Sequence, residues 1–312
     1  MIPYTLAIHG GAGTILQEDL TPELEAAYKQ ALEDSLAAGF AVLKRGGSAF
    51  DAVAAATVSL EDNVLFNAGR GSVFTNTGEH EMDAAIMDGR SGMAGAVAGV
   101  KNIRNPILLA TEVLKHSDHV LLSGDGAMAF AKTRGLKTEE DPYFFSSFRY
   151  DQWQAIKDTA GSALDHGKAP VQHDKKFGTV GAVACDAQGN IAAATSTGGM
   201  TNKRWGRIGD SPLIGAGTYA NNATCAISCT GHGEVFIRAV AAYDVSCLME
   251  YKGMTLQQAM DEVVHKRLMK MEGEGGMIGV DATGNAALVF NSAGMYRGVL
   301  SSNGLHEVSI YR

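Results

Sequence analysis

Glycine is the residue that most narrows the folds open to this chain. It supplies 38 of 312 residues, about 12% against a usual level near 7%. Prolines number only 6, which excludes collagen-like and proline-rich linker readings. Such a surplus calls for tight turns, or for places where backbone passes too close to its neighbour for a side chain. The rest of the composition describes a packed globule, with 46% hydrophobic and 19% charged residues and no disordered or low-complexity signature. Lys and Arg total 26 against 34 Asp and Glu, a formal net charge of −8, so no general cationic face pairs with a phosphate backbone and nucleic acid is not an expected partner. No apolar run approaches the ~18 residues of a membrane span. Met1-Ile2-Pro3-Tyr4-Thr5 leads into only Leu6, Ala7 and Ile8 before glycine, which is not a secretory signal. Four cysteines (Cys185, Cys225, Cys229, Cys247) are too few for a disulfide scaffold, and a cytoplasmic location is expected.

Leu6, Ala7 and Ile8 read as a short buried strand entering a turn, His9-Gly10-Gly11-Ala12-Gly13. Thr21-Pro22 with Glu23 and Glu25 opens a helix that should stop at Gly46-Gly47. Ser48 and Asp51 open a second, Ala-rich helix through about Leu60; small residues such as Ala38, Gly39, Ala52 and Ala56 suit close packing. Further helices begin at Asn105-Pro106 and near Asp125. Runs 72–75 and 81–87 read as strands between glycine turns. Residues 160–176 lose all periodicity and form the expected linker. Asp186-Ala187-Gln188-Gly189-Asn190 and Asp281-Ala282-Thr283-Gly284-Asn285 predict two similar hairpins. Between them, one helix is expected from Glu234 to about Tyr251 and another from a capping box at Thr255 and Gln258. Helices grouped between hairpin-linked strands favour antiparallel sheets with outer helix layers over a parallel nucleotide-binding sheet.

The glycine loop after the first strand lacks a phosphate-loop lysine and a helix opening at its last glycine, so nucleotide binding is disfavoured. Cys225, Cys229 and His232 fall short of four zinc ligands, and strand alternation puts Cys225, Ile227 and Cys229 on one face as small buried hydrophobes. The dense region is 178–234. It holds Gly178-Thr179-Val180-Gly181-Ala182, Thr195-Ser196-Thr197-Gly198-Gly199-Met200, Gly206-Arg207-Ile208-Gly209-Asp210-Ser211-Pro212 and Thr230-Gly231-His232-Gly233-Glu234. Each cluster alone has a bland reading, as turn glycines, strand threonines or a solvated Arg207/Asp210 pair. Together they admit a specific one. A threonine hydroxyl is a weak nucleophile, but a threonine that becomes an N-terminus gains an α-amine of pKa about 7.7–8.0 as its base. Cleavage before Thr179 would supply that amine, and Gly178 permits the backbone geometry for the attack.

These clusters, with His9-Gly10-Gly11-Ala12-Gly13, Leu65-Phe66-Asn67-Ala68-Gly69, Met82-Asp83-Ala84, Gly95-Ala96-Val97-Ala98-Gly99-Val100 and Gly294-Met295-Tyr296-Arg297, make the chain resemble the isoaspartyl peptidase/L-asparaginase family of N-terminal-nucleophile hydrolases (plant-type asparaginases). The resemblance covers most of the chain. It implies an α+β fold, a four-layer αββα sandwich of two mainly antiparallel sheets between helix layers, in a single domain over 1–312. It implies autocleavage into 1–178, with a flexible linker at about 160–178, and 179–312. Thr179 matches the nucleophile, Thr197 the threonine that polarises it, Thr230 and Gly231 the oxyanion hole, and Asn67 a polar residue beside the reacting centre. Arg207 matches the α-carboxylate clamp and Asp210 the α-ammonium acceptor, with Gly231 and Gly233 at the substrate. Leu60, Glu61, Asn63, Phe66, Ala68 and Arg70 match a structural sodium loop that binds through backbone carbonyls. No cofactor is implied for catalysis. Arg204-Trp205 is a bulkier pair than the family's pattern, and His232 occupies a variable position.

The implied activity is hydrolysis of β-aspartyl dipeptides and L-asparagine to release L-aspartate, with two chains assembling as an (αβ)₂ heterotetramer. Two alternatives stand beside it: a glycosylasparaginase-type amidase, and an unprocessed module that binds an amino acid through Arg207 and Asp210.

Overall fold

The computed structural model describes residues 2–158 and 178–312; the expected linker lies outside the described residues except for Gly178. Along the chain run β1 (Thr5–Gly13), α1 (Pro22–Lys44), α2 (Ala49–Glu61), β2 (Met82–Asp88), β3 (Ala94–Val100), α3 (Pro106–His116), β4 (Leu121–Ser123), α4 (Gly124–Thr133), α5 (Asp141–Phe144) and α6 (Ser147–Ile156). Then come β5 (Thr179–Cys185), β6 (Ile191–Thr197), β7 (Thr218–Ala220), β8 (Cys225–Gly231), α7 (Gly233–Ala239), α8 (Ala241–Lys252), α9 (Leu256–Glu262), β9 (Gly275–Asp281), β10 (Ala286–Phe290), β11 (Gly294–Ser301) and β12 (His306–Tyr311). A larger sheet has the order β12-β11-β1-β5-β6-β2-β3-β4 and a smaller one β10-β9-β8-β7. Among the registered strand pairs only β3 with β4 is parallel.

Strand alternation builds three apolar layers. On β1, β5 and β6, Leu6, Ile8, Val180, Ala182, Ala184, Ala192 and Ala194 pack on Leu32 and Leu36 of α1 and on Ala52 and Ala56 of α2. Their neighbours Ala7, Val183, Cys185, Ile191 and Ala193 face the smaller sheet and meet Ala226, Ile278 and Val280. On β8 the alternate residues Cys225, Ile227 and Cys229 turn to α7, α8 and α9, as the sequence predicts. Helix, sheet, sheet, helix is therefore the order of the layers. Small residues set the spacing of the outer layer: a Cβ on Gly39 of α1 would lie 2.8 Å from the carbonyl oxygen of Ala52.

Local chemistry explains most boundaries. Thr21 Oγ1 accepts from Leu24 N at the start of α1, Ser48 Oγ from Asp51 N at α2, and a full capping box opens α9. The two predicted hairpins are β5–β6 and β9–β10; in each an aspartate carboxylate accepts amides across the turn, and Gly189 and Gly284 take left-handed φ of 80° and 84°.

Three expectations are corrected. The His9-to-Gly13 segment is strand, not turn, with a register shift between His9 and Gly11 where β1 meets β11. Residues 72–75 form no strand and make only one isolated bridge, Thr75 to Lys203. The helix expected from Glu234 to Tyr251 is broken at Val240, which adopts φ 48°. That break lets the first amides of α8 bond outside the helix: Ala242 N donates to Ala216 O and Tyr243 N to Gly215 O.

Candidate active site

Thr179 is the first residue of β5, in the middle of the larger sheet, and pairs in register with Thr197 at the end of β6. Both are buried. Thr179 Oγ1 donates to Thr197 Oγ1 at 3.1 Å, Gly199 N donates to the same oxygen at 3.0 Å, and Thr197 Oγ1 donates its own proton to Gly178 O at 3.2 Å. Thr197 thus touches the Thr179 hydroxyl and the carbonyl of the Gly178–Thr179 peptide bond together. A neutral hydroxyl on a carbonyl oxygen draws charge toward that oxygen, which favours attack at the carbon.

Asn67 closes this corner. Its Nδ2 donates to Gly199 O at 2.7 Å, while its Oδ1 accepts from Val73 N and its carbonyl from Gly198 N. The contact is close enough that a Cβ on Gly178 would sit 2.3 Å from the Asn67 Cβ. Glycine at 178 therefore has a steric cause.

Thr230 and Gly231 end β8 in the facing sheet. Thr230 is buried, and its Oγ1 accepts from Ala12 N at 3.3 Å, which leaves its hydroxyl proton free to donate elsewhere. Gly231 has φ 148°, and a side chain there would meet the Glu274 carbonyl at 2.4 Å. Ser228 and Thr230, two residues apart on β8, share the face turned to the larger sheet.

Arg207, Asp210 and Gly233 come together. A Cβ on Gly233 would lie 2.6 Å from Arg207 Nη2 and 3.1 Å from Asp210 Oδ1. The bland reading of a solvated Arg207/Asp210 pair does not describe them. Arg207 is held by Glu234, with Nε to Oε1 and Nη2 to Oε2 both at 2.9 Å, a bidentate fork that fixes the guanidinium plane. Asp210 is buried, its Oδ2 has no hydrogen-bond partner, and burial raises its pKa to about 7. An orphaned buried carboxylate oxygen calls for a partner that the described residues do not supply. Trp205 is 97% exposed.

The residues matched to a sodium loop lie at the end of α2 and in the loop after it. Leu60 and Glu61 close the helix; Asn63, Phe66, Ala68 and Arg70 follow, with Phe66 and Ala68 buried. The loop folds tightly on its carbonyls: a Cβ on Gly69 would lie 2.5 Å from Glu61 O, and one on Gly71 2.0 Å from Phe66 O. Carbonyl oxygens are the donor type a hard cation takes, and in this loop those of Leu60, Phe66 and Ala68 also accept the amides of Asn63, Ala68 and Gly71. The Arg70 guanidinium stacks on the Tyr143 ring at 5.4 Å, so its carbonyl is the group it can offer the loop. Burial pushes the Cys225 thiol up to about 12, the opposite of a metal-binding thiolate.

Sequence reasoning gave no role to His9, Ser228 or Glu234. His9 is buried and bonds Thr179 O through Nδ1 and Ser228 Oγ through Nε2, each at 2.9 Å. Only the strand position of Ser228, two before Thr230 and so on its face, hints at that contact in the sequence.

Comparison with known proteins shows the family to which the chain belongs. The family described as Asparaginase matches residues 2–310. An isoaspartyl peptidase of Salmonella typhimurium is 51% identical over 307 residues, covering 98% of each chain. An isoaspartyl peptidase of Escherichia coli is 50% identical, covering 98% of this chain and 96% of its own. A plant-type L-asparaginase of Pyrobaculum calidifontis is 42% identical over 295 residues, covering 94% and 96%. With a family match across nearly its whole length, the chain belongs to the asparaginase family.

Proposed function

We propose that the protein is a threonine-type N-terminal-nucleophile hydrolase that cleaves itself between Gly178 and Thr179 and then releases L-aspartate from isoaspartyl dipeptides and L-asparagine. The observation that carries this reading is the contact of Thr197 Oγ1 with both Thr179 Oγ1 and Gly178 O. The names of the relatives support the substrate class.

In self-cleavage, Thr179 Oγ1 attacks the Gly178 carbonyl carbon. The C–N bond breaks as the nitrogen takes a proton, and water opens the resulting ester to a Gly178 carboxylate and a free Thr179 amine. That amine, of pKa about 7.7–8.0, is neutral often enough near pH 7 to take the hydroxyl proton in each later turnover. Thr179 Oγ1 then attacks the β-carbonyl of the substrate, the proton passes to the leaving amine, and water hydrolyses the β-aspartyl ester. Thr230 Oγ1–H and the Gly231 N–H would donate to the developing oxyanion; such donors are worth about 2.7–4 kcal/mol each. The bond from Ala12 N leaves the Thr230 proton available for this.

Arg207, steadied by Glu234, would hold the substrate α-carboxylate, and Asp210 the α-ammonium, with Gly231 and Gly233 leaving room for both. Leu60, Glu61, Asn63, Phe66, Ala68 and Arg70 would hold the sodium ion through their carbonyls. The ion would fix a loop whose Asn67 braces Gly199; it takes no part in the chemistry.

Intact mass spectrometry tests the reading. Wild-type protein should yield two fragments, 1–178 and 179–312, and Thr179→Ala should remain one chain without activity on a β-aspartyl dipeptide. A wild-type chain that stays whole yet hydrolyses the dipeptide refutes the terminal-amine mechanism; one that stays whole and only binds aspartate is the amino-acid-binding module.

A further inference from the structure

The bonds of His9 continue beyond Ser228. Ser228 Oγ lies 2.7 Å from Thr195 Oγ1, and Thr218 Oγ1 lies 2.6 Å from Thr195 Oγ1 and 3.0 Å from Ser211 O. The row therefore crosses between the two sheets, from β7 to β6 to β8 to β1, and ends on Thr179 in β5. His9, Ser228, Thr195 and Thr218 are all fully buried.

Proton counting gives this row one direction. Burial takes the His9 pKa down to about 3, so the ring is neutral and carries one N–H. A carbonyl only accepts, so the proton facing Thr179 O sits on Nδ1, and Nε2 is an acceptor. Ser228 must donate to it. With the Ser228 proton committed, the 2.7 Å contact to Thr195 needs the Thr195 proton, and the 2.6 Å contact beyond needs that of Thr218, whose other acceptor, Ser211 O, is farther at 3.0 Å. Gly217 O, 3.2 Å from Thr195 Oγ1, is the longer and weaker alternative: using it would set two lone pairs together at the Ser228 contact.

The backbone is built around this row. The registered pairing of β1 with β5 ends at His9 and Gly181, and the imidazole extends the attachment to Thr179. Gly181 makes room for it: a Cβ there would lie 2.0 Å from Ser228 Oγ and 2.6 Å from His9 Nε2.

Resting on the reading of Thr179 as nucleophile, we propose that His9 is a positioning residue. Held as the Nδ1–H tautomer by the one-way row Thr218, Thr195, Ser228, it fixes the Thr179 carbonyl and so the direction in which the Thr179 side chain and amine are presented. Successive donation along a buried row also strengthens its last bond.

The test uses the full chain. Long-range ¹H–¹⁵N spectra of ¹⁵N-histidine-labelled protein read which ring nitrogen carries the proton. The Nδ1–H form is expected from about pH 5 to about pH 9, although a free histidine titrates within that window; an Nε2–H form, or titration there, overturns the proposal. This readout does not depend on what Thr179 does. His9→Asn keeps an N–H near the Nδ1 position, whereas His9→Leu keeps bulk without a donor. On the self-cleaved fraction of each, kcat for a β-aspartyl dipeptide should fall about 100-fold in His9→Leu, the scale of a small misplacement of a reacting group, and under about 10-fold in His9→Asn. KM should stay within about twofold in both, since no substrate contact is removed. Should His9→Leu not fold, Ser228→Ala carries the comparison, with about a tenfold loss in kcat at constant KM and an upfield shift of the Nδ1 proton. Unchanged kcat in a folded His9→Leu or Ser228→Ala protein, or equal losses in His9→Leu and His9→Asn, overturns it. Activity surviving in Thr179→Ala would instead refute the nucleophile reading while leaving the tautomer measurement standing.

Discussion

At the scale of the residue, two buried groups answer differently to the cost of losing water. His9 is neutralised by burial and satisfied by two partners; Asp210 keeps one oxygen orphaned and sits near pKa 7. On the proposed function the substrate ammonium supplies the missing partner, and Asp210 is then ionised in the free enzyme when substrate binds. Together with the Thr179 amine, two groups must then lose protons, and log kcat/KM should rise with slope about two below about pH 7. In Asp210→Asn the slope should fall to about one on a lower plateau; a slope of one in the wild type would refute the assignment. Stability carries the same signature. Because the folded carboxyl binds its proton more tightly than the unfolded one, stability declines as pH rises from the ordinary carboxylate range to about 7, and Asp210→Asn melts should lack that share of the decline. Thr179, Thr197, Thr230 and Arg207 were singled out in the sequence because each sits in a glycine-bearing cluster that carries the family resemblance, and their roles came from that resemblance. His9 was not: its partners lie 170 and 219 residues away, and a lone histidine beside glycines carries no local mark of them.

At the scale of the element, capping and turn chemistry were readable because they are settled within a few residues. The break at Val240 was not. An apolar run from Glu234 to Tyr251 has no proline or glycine to stop it, and the break is imposed by the 215–217 turn, whose carbonyls take the first amides of α8. The cost is a β-branched residue in the left-handed region, of order 1–2 kcal/mol. Val240 is 45% exposed, so truncation forfeits about half of a valine's burial, on the order of 1 kcal/mol. With the entropy of glycine added, that loss offsets the relieved strain, and Val240→Gly should change stability by less than about 1 kcal/mol, measured by urea denaturation; a larger loss would mean that the valine side chain, not the kink, is what the site requires. The His9-to-Gly13 segment escaped reading as strand for a related reason. Its glycines look like turn residues, but Gly10 is glycine because a Cβ would strike the Phe66 ring at 2.4 Å.

At the scale of the molecule, the proposed cut would leave two interwoven pieces. Reading across the larger sheet, β12 and β11 come from 179–312, β1 from 1–178, β5 and β6 from 179–312, and β2, β3 and β4 from 1–178. The smaller sheet lies wholly within 179–312, but neither piece builds the larger sheet alone, and the apolar layers on its two faces are shared between them. Cleaved protein should elute as one species in gel filtration, whatever its final assembly, and separate into two bands only in denaturant. Elution of free fragments under native conditions would contradict this architecture. The sequence alone determined the glycine-rich clusters, the two hairpins, the helix caps and the coarse alternation of helical and strand regions, since these depend on φ preferences, hydrogen bonds and periodicities spanning a few residues. Tertiary structure alone decided that His9 meets Thr179 and Ser228, that Arg207 pairs with Glu234 while the buried Asp210 Oδ2 finds no hydrogen-bond partner among the described residues, and that Gly178 and Gly181 admit no side chain. Each of those depends on which distant strands lie against one another, and on the few tenths of an ångström between them.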